Sequence, residues 1–77
     1  MKSKLKLNAG DTLKQTSHKM KGPMQETDIW TYSIINKDGK VVGSVIHTDH
    51  TAIKGFQRTQ TVEQKDNTGN VIVSVSW

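Results

Sequence analysis

Six lysines crowd the first 22 residues, Lys2, Lys4, Lys6, Lys14, Lys19 and Lys21, with Asp11 the sole acid among them. Ammonium groups at this density attract anions. Residues two apart on a β-strand stand about 6.6–7 Å from one another, so Lys2, Lys4 and Lys6 suit a phosphate backbone running alongside. Engagement of all six on duplex DNA would give log K a slope of about −5 against log salt through counterion release. The segment holds no Arg and no aromatic residue, which removes bidentate base reading and stacking from it and predicts poor sequence specificity. The competing role is protective, because Lys on an edge strand discourages edge-to-edge pairing.

His47-Thr48-Asp49-His50 offers two imidazoles and a carboxylate, ligand types that suit Zn or another transition metal. On a strand, however, His47 and Asp49 share a face while His50 points away, so a polar loop is the plainer expectation and no metal or other cofactor is assigned. The residue types for a toxin-like ribonuclease are present in His47, His50, Glu63, Arg58 and Lys54, namely base, acid and cations for a charged transition state. Nothing in their spacing marks an active site. There is no nucleophile elbow, no glycine-rich phosphate loop and no Cys. The expectation is that the protein is not an enzyme.

Trp30, Tyr32, Phe56 and Trp77 make up the aromatic set. Aromatic rings on a β-face can stack exposed bases. In a chain that is only 32% hydrophobic, they are needed first as core. Trp77, on an apolar strand face, must be buried or mark a contact patch.

These residues must be held by a small scaffold. Seventy-seven residues make one domain, and a core this size rarely supplies more than about 3–5 kcal/mol, so self-association into a homodimer is a real prospect. Met1-Lys2-Ser3-Lys4 resembles the start of a signal peptide, but no apolar run follows it and none long enough to span a membrane occurs. A cytoplasmic location and no membrane partner are expected. The +4 net charge is unevenly placed. Residues 1–22 carry the six lysines against Asp11. Residues 23–77 balance Lys37, Lys40, Lys54, Arg58 and Lys65 against Glu26, Asp28, Asp38, Asp49, Glu63 and Asp66, one more acid than base. The chain divides at Lys21-Gly22-Pro23 into a basic arm, 1–22, and a body, 23–77.

Periodicity near two and abundant β-branched residues predict an all-β fold, a small antiparallel sheet or partly open barrel of two or three hairpins. Lys2–Leu7 alternates as a strand with Leu5 and Leu7 on one face, and Thr12–Met20 could return as a second. Asp38-Gly39 favours a two-residue type I′ hairpin, pairing Lys37 with Lys40, Ile34 with Gly43, Tyr32 with Val45 and Trp30 with His47. The other face then pairs Ile35 with Val42 and Thr31 with Ile46. Ile35, Val42 and Ile46 make that second apolar face a candidate protein interface. Asp66–Gly69 suits a four-residue loop, placing Lys65 opposite Asn70, Val62 opposite Val73, Gln60 opposite Val75 and Arg58 opposite Trp77 in cation–π reach. Residues 37–45 and 65–75 resemble each other once two residues are admitted to the second turn, through duplication or through shared turn chemistry. His47–Gly55 joins the hairpins without a clear pattern and could extend strands or form a short helical turn.

The function these features favour is a small non-enzymatic binding module whose lysines meet an acidic partner, nucleic acid slightly ahead of an acidic protein surface. The alternative is a protein-binding or inhibitor module that uses an apolar β-face or a strand edge. A toxin-like ribonuclease is the weakest reading.

Overall fold

The computed structural model describes residues 4–23, 26–51 and 58–77. It is all-β: β1 (Thr12–Lys21), β2 (Thr27–Ile35), β3 (Val41–Thr51), β4 (Arg58–Asp66) and β5 (Val71–Ser76). They form one antiparallel meander in chain order, not closed into a barrel. The return strand expected at Thr12–Met20 is therefore present as β1, paired along its length with β2. The stretch His47–Thr51 continues β3, paired to both β2 and β4, so the polar loop expected at His47–His50 gives way to the strand extension also open for this stretch. Its Thr residues suit a half-buried pleated surface, and the buried Asp49 is held there by Arg58 of β4.

Alternation places Leu13, Tyr32, Ile34, Val45, Val62 and Val73 on one face. Ile34, Val45 and Val62 are its buried centre. The strand expected over Lys2–Leu7 does not form across its described part, Lys4–Leu7; Lys2 lies outside the described residues. Leu5 and Leu7 nevertheless pack on the core. The buried Gln64 side chain explains how. Its Oε1 accepts from the Lys6 N–H, and its Nε2 donates to the Lys6 carbonyl, each at 2.8 Å. One side-chain amide thus satisfies both backbone groups that a neighbouring strand would have paired. The alternating Leu residues reach the core as expected, but the partner of the backbone between them is a side chain.

Both long hairpins turn differently from expectation. The Asn36 side chain accepts from the N–H groups of Asp38 and Lys40, and Asp66 does the same for Thr68 and Asn70. The Asn36 N–H donates to the Lys40 carbonyl and the Asp66 N–H to the Asn70 carbonyl, closing three-residue loops in which Gly39 and Gly69 adopt φ of 80° and 92°. Glycine enters that region without steric cost. The two-residue loop at Asp38-Gly39 and the four-residue loop at Asp66–Gly69 are both replaced by this one design.

In the first hairpin an extra residue, Val42, restores the expected register, so Ile34 meets Gly43, Tyr32 meets Val45 and Trp30 meets His47. Ile35 pairs with Val41 rather than Val42. In the second, the bulge falls at Ile72 and the register moves by two, so Val62 meets Val75 and Gln64 meets Val73. Trp77 meets Gln60 through backbone bonds in both directions. Arg58 pairs with Thr51 on the other side of β4, so its expected contact with Trp77 is absent.

The hairpins match without a gap. Asn36 corresponds to Asp66, Gly39 to Gly69, the bulge Val42 to Ile72, Val45 to Val75 and His47 to Trp77, always 30 positions apart. The two inserted residues of the sequence comparison are not needed. By this correspondence β5 is the equivalent of β3, yet β3 carries β4 on its outer edge while β5 carries no strand among the described residues.

Candidate functional site

The basic segment is divided by the sheet. Lys4 and Lys6 belong to the stretch packed on the core face. Lys14, Lys19 and Lys21 are exposed and pair with Ser33, Ile29 and Thr27, positions that alternate onto the second face. No single line of lysines runs from Lys4 to Lys21. The three on β1 lie on an edge strand that is also interrupted by a bulge at Thr16. Lysines and bulges are both recognised means of blocking an edge.

The proposed apolar interface also changes. Ile35 and Ile46 lie on the second face, Ile46 exposed, but Val42 is turned by its bulge to pack against the core. A β-bulge puts two residues opposite one and re-aims the side chain. Ile72 repeats the device, and the two line a cavity of about 190 Å³ with Lys6, Asn8, Asp11 and Gln64. That is below the roughly 300–1,000 Å³ of small-molecule pockets.

A row of rings crosses the core face. His18, Trp30 and His47 are register neighbours on β1, β2 and β3, with centroid separations of 4.9 and 5.1 Å and interplanar angles of 6° and 25°. Trp77 adds a fourth ring 5.9 Å from His47 at 7°. Lys4 Nζ lies 5.0 Å from the Trp77 ring centroid, so the cation over this ring is Lys4, not Arg58. Trp30 and His47 each stack on two rings, so a nucleobase would have to part the row to stack on either, while the end rings His18 and Trp77 each have one ring partner among the described residues. Phe56 lies outside the described residues.

Polar partners fix this row. His18 Nε2 stands 3.1 Å from Asp28 Oδ1, and His47 Nε2 stands 3.0 Å from Gln60 Oε1. The buried Asp49 receives Arg58 through Nε and Nη2. The Arg58 hydrogen bond holds the Asp49 carboxyl below its usual range against the opposing effect of burial, and Asp49 in turn raises Arg58. His50 occupies the other face, its Nδ1 2.6 Å from Thr27 Oγ1. The sheet thus separates His47 and Arg58 from His50 and Glu63. Lys54 lies outside the described residues. Among the described residues no three His, Asp or Glu groups gather to hold a metal.

The remaining feature is the β5 edge. Val71, Ile72, Val75 and Trp77 are 51%, 40%, 39% and 40% exposed, and Val71–Trp77 contains no charge and no Pro. Because Trp77 and Gln60 exchange both backbone bonds, ladder alternation turns the N–H and C=O groups of Ser76 and Ser74 away from β4. The sequence pattern reveals the strand but not its position at an edge. The signal available is its lack of charge beside three lysines on β1.

No known protein family, curated protein or solved structure matches the chain. Among the described residues no helix is long and apolar enough to cross a membrane.

Proposed function

We propose that this protein is a non-enzymatic protein-binding module that takes up an extended strand along β5. The observation that carries this reading is the correspondence between hairpins. Among the described residues, the edge that β3 fills with β4 carries no strand in its equivalent, β5, where the N–H and C=O groups of Ser74 and Ser76 point outward. Main-chain hydrogen bonds supply affinity in strand addition, and alternate side chains supply selectivity. An exposed, apolar, uncharged edge is a pairing site unless something blocks it. Among the described residues, β1 carries lysines and a bulge that block its edge and β5 carries no charged side chain.

The lysines support a second reading to the extent that Lys14, Lys19 and Lys21 share a face. The two readings separate by NMR on the intact labelled protein. A synthetic peptide of residues 58–66, the strand that fills the matching edge of β3, is expected to shift the Ser74 and Ser76 amides and slow their exchange. Absence of any change along β5 in a monomeric sample refutes strand addition. A uridine oligonucleotide that shifts Lys14, Lys19 and Lys21 while the peptide does nothing would transfer the function to nucleic acid.

A further inference from the structure

Resting on the strand-addition reading, we propose that the strand seated on β5 is the β5 strand of a second copy of this chain. The two run antiparallel about a two-fold axis at Val75, making one continuous ten-stranded sheet.

The register follows from the backbone. Ser74 and Ser76 present their N–H and C=O groups outward. A two-fold centred on Val75 sets each Ser74 against the other copy's Ser76, so every one of these groups finds a partner, and it keeps the ladder clear of the Ile72 bulge. The axis is perpendicular to the sheet, so the core faces of the two copies run on into each other. Val75 then meets Val75, and Trp77 meets Val73, covering two of the exposed apolar side chains. Ser74 and Ser76 meet across the second face, where their small side chains offer no obstruction.

Charge permits this pairing and opposes the others. β5 carries no charge. The lysines of β1 stand four strand spacings away, about 19 Å, beyond the screening length of about 8–10 Å. The two Trp77 Cα atoms lie about 14 Å apart along the strands, each ring with its own Lys4 ammonium 5.0 Å from the centroid. Pairing β1 with β1 would bring three lysines against three. Pairing β1 with β5 is heterologous, leaves an open edge at each end and leads to fibres rather than a closed pair; the Thr16 bulge breaks its ladder.

The test is sedimentation of the full chain over about a hundredfold range of concentration, where a species of twice the 8.6 kDa chain mass is expected. Ser74→Pro removes an outward N–H that the fold itself does not use, and should abolish the dimer while leaving the far-UV spectrum of a folded sheet. A register test does not depend on that variant folding. The natural chain has no Cys, so Val75→Cys introduces a single thiol that faces its mate at about 4.5 Å between Cα atoms, within disulfide range. It should cross-link on oxidation. Val71→Cys, far from the axis, should not. A parent chain that stays monomeric throughout, or equal cross-linking of both variants, overturns the proposal. If the parent is monomeric yet the 58–66 peptide still shifts Ser74 and Ser76, strand addition stands and the second copy is excluded. If both fail, both fall.

Discussion

Replacing Gln64 by Met tests whether a single side chain attaches the first residues to the sheet. Gln64 is only 2% exposed, and its amide meets both backbone groups of Lys6 at 2.8 Å. Methionine keeps nearly the same volume and flexibility, so packing against Val45 and Val62 is largely retained. What is lost is two hydrogen bonds at about 0.5–1.5 kcal/mol each, hence about 1–3 kcal/mol. The Lys6 N–H and C=O then either stay unpaired or peel into water, taking Leu5 and Leu7 off the core. A chain of this length has about 4–12 kcal/mol of total stability at 0.05–0.15 kcal/mol per residue, so the loss is a substantial share. At about 4–8 °C per kcal/mol for a domain this small, a 2 kcal/mol loss lowers Tm by about 8–16 °C. Differential scanning calorimetry at fixed protomer concentration measures this, and hydrogen exchange should show the amides of residues 5–7 opening first. A Gln64→Met variant that melts at or above the parent would refute the reasoning, because it would make Gln64 a space-filler and the Lys6 bonds energetically idle.

Two other expectations follow from single positions. A Cβ built on Gly43 would stand 2.6 Å from the Lys65 carbonyl oxygen and 3.2 Å from Ile34 Cδ1; Gly43→Val should therefore lower the unfolding free energy by about 1–3 kcal/mol, despite the better strand propensity of Val, and a stabilised variant would refute it. Asp49 and Asp66 both titrate below the ordinary value of 3.8, chiefly through hydrogen bonds from Arg58 and from the Thr68 hydroxyl respectively. A depressed folded pKa contributes stability above the unfolded value and loses it as pH falls through the folded one. Urea midpoints should hold above the ordinary value of 3.8 with respect to these two groups and decline below it, and Asp66→Asn should shrink that decline; an unchanged acid limb would show that the turn bonds do not favour the carboxylate.

Much of the sheet is legible in the sequence because alternation is a local property. Tyr32 opposite Val45 and Trp30 opposite His47 hold in spite of the longer turn, since the bulge at Val42 restores the residue that the longer loop removes. The second register differs by two because Asp66 flanks the loop, its side chain capping it from there, which moves the pairing by one, and the bulge at Ile72 moves it by one more. The slip of two leaves Val73, Val75 and Trp77 on one face as expected, with other partners, while Val71, expected on that face too, lies before the bulge opposite Lys65 and is on the second face. Val42 departs from expectation for a different reason: a bulge reverses a single side chain, and alternation cannot announce it. The ring row is hidden for a third. His18 and Trp77 lie 59 positions apart, and only the strand order β1 to β5 brings them into one row. Gln64 bonding to Lys6 likewise spans 58 positions.

The strand order also changes what the charge at the start of the chain does. A five-stranded meander has two edges, and each must be blocked, covered or used. Lys14, Lys19, Lys21 and the Thr16 bulge sit on one of them, while the other consists of Val, Ile, Ser and Trp. Protecting one edge while leaving the other bare is the arrangement that permits one added strand and no more. If both edges were bare, each copy could receive another and the sheet would grow without limit; if both carried lysines, nothing would dock. Lys14, Lys19 and Lys21 are then a limit on assembly at β1, placed four strands away from the edge where their repulsion would weaken pairing, while Lys4 lies over the Trp77 ring.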